Sequence, residues 1–418
     1  IFVILMSSDM TANKRLLQVN ITANWGSHGR IAEEIGKIVI SNGWESYIAY
    51  GRNANPSMSH LIKIGHMFDE MCHGAQSRLF DQHGLASKHV TRAFIREIEH
   101  IKPDIIHLHN IHGYYLNYPI LFDFLSSLSI PVVWTLHDCW PMTGHCAYPS
   151  SFACDLWKDG CHDCPARTEY PKSLLIDNSR KNYRLKKKYF CGMDSLHIVT
   201  VSKWLESEVR ASFLKGYDIR CIYNGVDIDV FSPQKSTNDL KEKHHICPNE
   251  KVVLGVASIW EKRKGLEDFY QLRQVLSSDY RIILIGLNKS QARQVPEDIE
   301  VVMRTDNQAQ LAAYYSMADA FVNPSQAETF GLTTAEALAC GTPCVVYDTS
   351  ACPELISEET GRVVPLNDIS AMAEAIRQIC EATDSANMRN ACRERAVILF
   401  NQSESYQAYW DLYQSILD

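Results

Sequence analysis

Residues 323–346 read NPSQAETFGLTTAEALACGTPCVV. The apolar residues 318–324 lead into this segment as a short strand that ends at a proline. After Gly331 the apolar residues recur at helical spacing, and Gly-Thr-Pro at 341–343 ends the helix before a new apolar strand begins. The segment therefore predicts a strand, a turn, a helix and a second strand, the unit from which α/β domains with parallel sheets are built.

The turn before the predicted helix has the features of an anion site. Free N–H groups and the positive end of the helix dipole favour an anion there, and Gly331 lets a ligand approach the backbone after Phe330. Glu328 in the turn and Glu336 about two helical turns later place carboxylates on either side. Two carboxylates around a phosphate indicate a sugar beside one and a ribose beside the other. The alternative, a surface helix with solvated glutamates, is disfavoured by the flanking Pro-Ser and Gly-Thr-Pro.

The Glu328-x7-Glu336 spacing, with Phe330-Gly331 and the trailing ACGTPCVV, resembles the donor-sugar motif of retaining GT-B glycosyltransferases of the family 4 or group 1 type. The resemblance covers nearly the whole chain. It implies an α/β architecture in which two Rossmann-like, doubly wound parallel-sheet domains face a central cleft. It also implies that Glu328 is catalytic and holds the hydroxyls of a nucleotide diphosphate sugar. Glu336 would hold the ribose, and Phe330, Gly331 and Leu332 would complete the donor site.

Length and charge agree with two domains and exclude one class of partner. A chain of 418 residues is too long for one ordinary core, so two domains of roughly 200 residues are expected. Net charge is −8 without a long basic run, which argues against a nucleic acid partner. The apolar start, 1–6, is shorter than the roughly 20 residues of a membrane span. Residues 1–12 are expected to lie outside the folded domains.

Polar residues gather where the strands of the first half are expected to end. A loop containing Gly26 and Gly29 joins the first predicted strand to a helix, where a doubly wound domain lets substrate approach the backbone. Parallel strands share one carboxyl edge, so six strand-end residues are expected to cluster: His107, His109, Asn110, His112, His137 and Asp138. His-x-His also occurs in metal sites, but the absence of a clear fourth ligand favours sugar hydroxyls over metal.

The resemblance assigns roles within this cluster. His137 matches the strand-end histidine that GT-B enzymes place beside the donor sugar, and it is assigned as catalytic. Asp138 would orient His137 or contact the acceptor, and His109 is assigned to the acceptor side with it. Gly26 and Gly29 match the N-terminal glycine loop that borders the cleft.

A cysteine-rich stretch, 139–171, follows directly. Its candidate metal ligands are Cys146, Cys154, Cys161 and Cys164, whose Cys-x-x-Cys end is typical of tetrahedral zinc. A long irregular loop needs a cross-link to hold its conformation, so a structural zinc is predicted here. Free buried thiols, or a disulfide in an exported protein, stay open. The stretch resembles the HDCWPxTGHC insertion of a subgroup of bacterial capsule and exopolysaccharide glycosyltransferases, and it is predicted to shape the acceptor pocket.

A charged helix is predicted over 173–190, with a basic run at 186–188. A solvated helix face is the simplest interpretation. Contact of this short basic cluster with an anionic membrane surface stays open as a second one. We expect a cytoplasmic protein, with peripheral contact at the inner face of the membrane where a lipid-linked acceptor would be held.

The second half carries a basic turn. Residues 262–264 lie between a strand and a helix and suit a diphosphate. Their register matches the diphosphate clamp of GT-B enzymes, so Arg263 and Lys264 are assigned to it. Many relatives have Gly-Arg where this chain has Ala257-Ser258, so one basic contact is missing around Ser258 or is supplied by Arg263. Thr305 lies where the family recognises the base through backbone atoms.

These patterns divide the chain into predicted units. Residues 13–222 would form the acceptor-binding domain, and 223–400 the donor-binding domain, with the boundary at the Asn224-Gly225 turn. By the same resemblance, 401–418 would form a helix that crosses back onto the first domain.

The combined expectation is retaining transfer of a hexose from a nucleotide diphosphate sugar, UDP before GDP, to a glycan or lipid-linked saccharide. Basic residues and a helix dipole would stabilise the leaving diphosphate, so no catalytic metal is expected. Two alternatives stay open: an inactive nucleotide-sugar-binding scaffold, and a nucleotide-sugar epimerase of the same fold. Product formation separates them.

Overall fold

Two parallel β-sheets form the framework of the protein. The computed structural model describes residues 13–418, so the expectation about residues 1–12 lies outside the described residues. The first sheet has seven strands and the second has six, and every adjacent pair in both sheets is parallel. The predicted α/β fold with two doubly wound sheets is therefore confirmed.

The first sheet has the strand order β3-β2-β1-β4-β5-β6-β7. Its strands are β1 Arg15–Asn20, β2 Glu45–Tyr50, β3 His60–Lys63, β4 Ile105–Leu108, β5 Val132–Leu136, β6 Leu196–Thr200 and β7 Asp218–Cys221. The central strands β4 and β5 are buried at every residue. Strands covered on both faces require nearly continuous apolar sequence, which these have.

The second sheet repeats this plan in the order β10-β9-β8-β11-β12-β13. Its strands are β8 Lys251–Val256, β9 Tyr280–Ile285, β10 Ile299–Val302, β11 Ala320–Asn323, β12 Cys344–Tyr347 and β13 Gly361–Val364. In both sheets the order reverses direction beside the first strand of the sheet. Such a switch point opens a crevice at the carboxyl ends of the strands.

Helices cover the sheets and connect their strands. Those of the first half are α1 Gly26–Ser41, α2 Met67–Phe80, α3 Lys88–Ile101, α4 Tyr118–Leu125, α5 Ser179–Phe190 and α6 Lys203–Ala211. Those of the second half are α7 Asn238–Lys243, α8 Leu266–Val275, α9 Lys289–Ala292, α10 Gln308–Met317, α11 Leu332–Ala339, α12 Ile369–Cys380, α13 Ser385–Leu399 and α14 Gln402–Leu417.

The last helix, α14, packs on the first sheet rather than on the second. It shares a buried cluster with α1 and with strands of the first sheet. Where the chain crosses between the domains, the Val226 N–H donates to the Phe400 carbonyl at 2.7 Å and the Gln402 N–H donates to the Val226 carbonyl at 3.0 Å. A Cβ on Gly225 would lie 2.2 Å from the Gln402 Cα, so only glycine fits at this crossing.

Local periodicity differs from the structure in two places. The segment 51–83 contains β3 and α2, and periodicity does not reveal α2 because this helix buries His73, Gly74 and Ser77 and exposes apolar residues. Helix α5 begins at Ser179 instead of 173, since Asp177 accepts the Ser179 N–H at 2.8 Å.

A 3₁₀ turn over Pro353–Leu355 lies between β12 and β13. This turn presents Glu354 to the first domain. The Glu354 carboxylate accepts the N–H groups of Lys203 at 2.6 Å and Trp204 at 3.0 Å, which start α6, and the Tyr223 hydroxyl at 2.6 Å. An anion at a helix start is stabilised by the dipole, so this contact ties the domains together.

Replacement of Tyr413 by Phe tests the attachment of α14. The Tyr413 hydroxyl lies 2.6 Å from the buried Nδ1 of His107, whose Nε2 lies 2.8 Å from the Thr135 hydroxyl. Loss of one buried partner is expected to lower the free energy of unfolding by about 1–3 kcal/mol, measured by urea denaturation. The control is Tyr270→Phe, at a partly buried tyrosine on α8. Equal losses in both variants would contradict the attachment.

Candidate functional site

A cavity of about 690 Å³, called the cleft below, lies between the carboxyl edges of the two sheets. Crevices at these edges are where doubly wound folds bind ligands. Both halves of the chain line it. The predicted site residues in its lining are His137, Asp138, Cys146, Ser258, Arg263, Lys264, Glu328, Phe330, Gly331 and Leu332.

Glu328 is a buried carboxylate on the second-domain side of the cleft. It is 8% exposed, its Oε1 pairs with Lys264 Nζ, and its Oε2 lies 3.9 Å from Arg263 Nη1. Burial opposes ionisation of Glu328, but Lys264 and Arg263 outweigh it and hold the pKa of the carboxyl below its usual value. Its backbone N–H donates to Ser350 Oγ at 2.8 Å. The carboxylate therefore stays ionised and holds two cations at the wall of the cleft.

Arg263 also contacts the first domain. Its guanidinium carbon lies 4.1 Å from the centroid of the Tyr148 ring, within cation–π distance, while its Nη1 donates to the Ala327 carbonyl at 2.9 Å. Two residues after Ala327, the Thr329 hydroxyl donates to the backbone carbonyl of His137 at 2.8 Å. These two contacts hold the basic turn and the histidine side of the cleft in one site.

Gly331 forms the sharp turn before α11. Its φ is +99°, and a Cβ added here would have its nearest neighbour 3.6 Å away, so the left-handed backbone rather than lack of space calls for glycine. Asn323 fixes the turn from β11: its Nδ2 donates to Thr334 Oγ1 at 3.0 Å and its Oδ1 accepts from Ser325 Oγ at 2.6 Å. The first turn of α11, with N–H groups that lack intrahelical partners, consequently borders the cleft.

His137 is held by a chain of hydrogen bonds that starts in β1. Gln18 Nε2 donates to the Ala32 carbonyl at 2.7 Å, so Gln18 Oε1 accepts from His109 Nε2 at 3.1 Å. His109 Nδ1 lies 3.1 Å from His137 Nε2. Burial holds the pKa of both imidazoles well below its usual value, so both are neutral and His109 Nδ1 must accept from His137. The Nδ1 of His137 is then unprotonated and can accept a hydrogen bond.

Asp138 provides a second buried carboxylate, on the first-domain side. Its Oδ2 lies 2.9 Å from His112 Nε2, and its Oδ1 accepts the Trp140 N–H at 2.9 Å. Burial opposes ionisation, but His112 outweighs it and lowers the pKa of Asp138. His112 Nδ1 lies 3.0 Å from the Tyr170 hydroxyl, so the cysteine-rich stretch is part of the same polar network.

The strand-end cluster divides between two environments. Asn110, His112, His137 and Asp138 line the cleft. His109 is 1% exposed and lies behind His137, with ring centroids 5.4 Å apart. His107 is bonded instead to α14 and β5. His109 therefore contacts His137 and does not line the cleft. It was expected to lie on the acceptor side.

The glycine loop borders the cleft through residues that lie between its two glycines. Ser27 and His28 line the cleft, whereas the two predicted glycines are not in that lining. Gly26 has φ +68° at the start of α1, and a Cβ on Gly29 would lie 2.6 Å from Thr22 Oγ1. Their local roles are a turn and close helix packing.

Two other predicted donor residues lie outside the lining of the cleft. Glu336 accepts from the Tyr315 hydroxyl at 3.0 Å, and burial raises its pKa to about 7. The hydrogen bond from Tyr315 and the charge of Arg30 act in the opposite direction and favour the ionised carboxylate. Thr305 follows β10 and is partly exposed. Assignment of these residues to ribose and base stays a prediction.

The four cysteines of the insertion, which were predicted to hold zinc, are free thiols in the structure. Cys161 Sγ accepts the Gly144 N–H at 3.0 Å, and burial raises the pKa of Cys161 to about 11. Within residues 13–418, no group of three or more His, Cys, Asp or Glu side chains is arranged to hold a metal ion. A structural zinc at these cysteines stays a prediction.

A buried lysine anchors the insertion. Lys186 Nζ donates to the Trp140 carbonyl at 2.6 Å and lies 3.5 Å from the centroid of the Trp140 ring. Burial lowers the pKa of this lysine to about 7. The sequence placed Lys186 in a basic run, yet its helical spacing from the buried Tyr183 and Phe190 was a signal of the inward face. This anchor fixes the segment that brings Tyr148 to the cleft.

Comparison with known proteins matches both halves of the chain. Residues 236–397 match the family described as Glycosyl transferases group 1, and residues 72–230 match the family described as Glycosyltransferase Family 4. The chain is 22% identical over 417 residues to the putative colanic acid biosynthesis glycosyl transferase WcaC of Escherichia coli K12, which covers 96% of this chain and 100% of WcaC. It is 25% identical over 205 residues to the capsular polysaccharide biosynthesis glycosyltransferase CapM of Staphylococcus aureus, which covers 46% of this chain and 53% of CapM.

Solved structures share the whole architecture. Sucrose-phosphate synthase of Thermosynechococcus elongatus superposes with a TM-score of 0.73 at 19% identity, covering 97% of this chain and 99% of that one. Anabaena Alr3699/HepE in complex with UDP and glucose superposes with a TM-score of 0.67 at 15% identity, covering 97% and 100%. Two parallel-sheet domains around such a cleft define the GT-B class. The chain is a glycosyltransferase of this class, with a family 4 domain in its first half and a group 1 domain in its second.

The hydrogen-bond chain predicts the tautomer of His137. In protein with ¹⁵N-labelled histidine, His137 is expected to carry its proton on Nε2 and to stay neutral at pH 6.5, where an ordinary histidine is half protonated, because burial lowers its pKa. Gln18→Leu removes the acceptor of His109 and is expected to give His137 a mixture of tautomers. Long-range ¹⁵N–¹H correlation spectra measure this. Gln378→Leu, at an exposed position of α12, is the control, and unchanged shifts in Gln18→Leu would contradict the chain.

Proposed function

We propose that this protein is a retaining glycosyltransferase that moves a hexose from a nucleotide diphosphate sugar to a glycan or lipid-linked saccharide in bacterial polysaccharide biosynthesis. One observation carries the proposal: a single cleft joins Arg263, Lys264 and Glu328 of the second domain to His137 and Asp138 of the first. We propose a UDP-sugar as donor, with a GDP-sugar as second candidate. The structure of HepE with UDP and glucose supports this choice.

The basic turn suits the leaving group. Departure of a nucleoside diphosphate builds negative charge, which Arg263, Lys264 and the first turn of α11 can stabilise. Without a ligand both cations face Glu328, so a diphosphate competes with this carboxylate for them. Once a phosphate takes over the cations, Glu328 can accept hydrogen bonds from sugar hydroxyls. The ion pair thereby links diphosphate binding to sugar binding.

The first-domain wall suits the sugar and the acceptor. A neutral His137 can accept a hydrogen bond from a sugar hydroxyl through Nδ1, and it places no positive charge beside a developing oxocarbenium ion. Asp138 lies next to it in the lining, on the side we assign to the acceptor. The acceptor hydroxyl would attack from the face that the diphosphate leaves, which retains the anomeric configuration without a protein nucleophile.

The relatives support a role in polysaccharide assembly. WcaC is described by colanic acid biosynthesis and CapM by capsular polysaccharide biosynthesis. Saccharides of this kind grow on lipid carriers, so we place the protein in the cytoplasm at the inner face of the membrane. Among residues 13–418, no helix combines the length and the hydrophobicity of a bilayer span.

A nucleotide panel tests the donor site. UDP, GDP, ADP and their common sugars are titrated into the purified protein by thermal shift and calorimetry, with and without EDTA. We expect one nucleotide to stabilise the protein selectively, by about 2.7 kcal/mol at 100 times its Kd, and EDTA to have no effect. The absence of any binding would contradict the proposal. Binding without transfer would indicate a scaffold, and a change of the sugar alone an epimerase.

Two glutamate variants test the division of roles. Glu328→Gln frees Lys264 and Arg263, so nucleotide diphosphate affinity is expected to stay equal or rise while the transfer rate falls about 100-fold or more. Glu336→Ala is expected to weaken nucleotide diphosphate binding about tenfold, as loss of a hydrogen bond of roughly 1.4 kcal/mol would do. Calorimetry and product release measure both. Glu374→Gln, at an exposed position of α12, is the control, and normal transfer in both variants would refute the site.

A further inference from the structure

Helix α2 buries small and polar residues and exposes large apolar ones. Its buried residues are His73, Gly74 and Ser77, whereas Met67 and Phe68 are each 74% exposed and Met71 is 64% exposed. Met67, Phe68, Met71 and Leu79 fall within one arc around the helix axis. Asp69 and Glu70 fall outside this arc. This apolar surface of the helix is therefore not covered by the rest of the described fold.

A loop beside α2 extends the same surface. Leu174, Leu175 and Ile176 are 50%, 67% and 40% exposed. The Leu174 N–H donates to the Arg78 carbonyl at 2.7 Å, and Asn178 Nδ2 donates to the Phe80 carbonyl at 2.7 Å, so the loop is fixed against the end of α2. We call α2 with residues 174–176 the apolar face.

Basic residues continue from the apolar face along one side of α5. Arg180, Lys181, Arg184 and Lys188 are exposed and line a shallow depression of about 400 Å³. Among the described residues 13–418, none of these four cations forms a salt bridge. The chain as a whole carries a net charge of −8, so this concentration of unpaired positive charge is local.

We propose that the apolar face and the basic side of α5 form a docking surface for an anionic lipid bilayer. Exposed apolar side chains next to unpaired cations match the boundary between acyl chains and anionic headgroups. A protein partner would not require the two features together. The proposal rests on the membrane-held acceptor of the proposed function and names the surface that meets the membrane.

The position of this surface relative to the cleft fits that role. Glu169 and Tyr170 line the cleft, and the chain reaches the apolar face at Leu174. Tyr170 also belongs to the network of His112 and Asp138 on the proposed acceptor side. A saccharide whose lipid stays in the bilayer would therefore lie near the acceptor side of the cleft.

Vesicle sedimentation tests the proposal with the full chain. Sucrose-loaded vesicles of phosphatidylcholine alone, or with about 30% phosphatidylglycerol, are mixed with the protein at low and high salt. The protein is expected to sediment with the anionic vesicles only, and less at high salt. Phe68→Ser with Met71→Ser, and separately Arg184→Gln with Lys188→Gln, are each expected to weaken this binding about tenfold or more.

Matched changes elsewhere serve as controls. Ile398 is 65% exposed in the second domain, and Lys241 and Lys243 are exposed on α7. Ile398→Ser, and Lys241→Gln with Lys243→Gln, are expected to leave vesicle binding unchanged. Calorimetry with nucleotides in the absence of vesicles is expected to give the same affinity for every variant, which also shows that each is folded.

Three results would overturn the membrane surface. These are no binding to anionic vesicles, equal binding by wild type and both test variants, and a concentration-dependent dimer by light scattering that Phe68→Ser disrupts. The last would assign the apolar face to a second copy of the chain. Because nucleotide binding is measured without vesicles, failure of the membrane surface stays distinguishable from failure of the donor site.

Discussion

The buried charge of Glu328 is the constraint on which the cleft depends. A carboxylate removed from water must be compensated by nearby cations, and Lys264 and Arg263 do so from a different loop. That loop packs closely on the end of β11, since a Cβ on Gly265 would lie 2.3 Å from the Pro324 carbonyl oxygen. One ion cluster thereby fixes the ends of β8 and β11 relative to each other.

The two domains are held by contacts between distant segments. Helix α14 returns to the first sheet and places Tyr413 against His107, and Glu354 caps the start of α6. At the cleft itself, Arg263 lies over Tyr148. The cleft is therefore a property of the whole chain, because neither sheet supplies both the cations and the histidines.

Much of this could be predicted from local sequence. Continuous apolar strands alternating with amphipathic helices indicated two parallel sheets, since strands covered on both faces leave no other pattern. The turn at Gly331 was recognisable because a left-handed residue before a helix calls for glycine. Helix α2 escaped prediction because its apolar residues face solvent, and the cysteine spacing did not reveal that Cys161 turns to Gly144.

The sequence by itself determined the fold class, the turn at Gly331 and the residues at the strand ends, because these follow from short-range periodicity and backbone geometry. Only the tertiary structure decided which of those residues meet. Gln18 fixes the proton of His137 from 119 positions away in the sequence, and Tyr148 receives Arg263 across the cleft. Contacts between distant segments depend on how sheets and helices pack, and no local pattern encodes that packing.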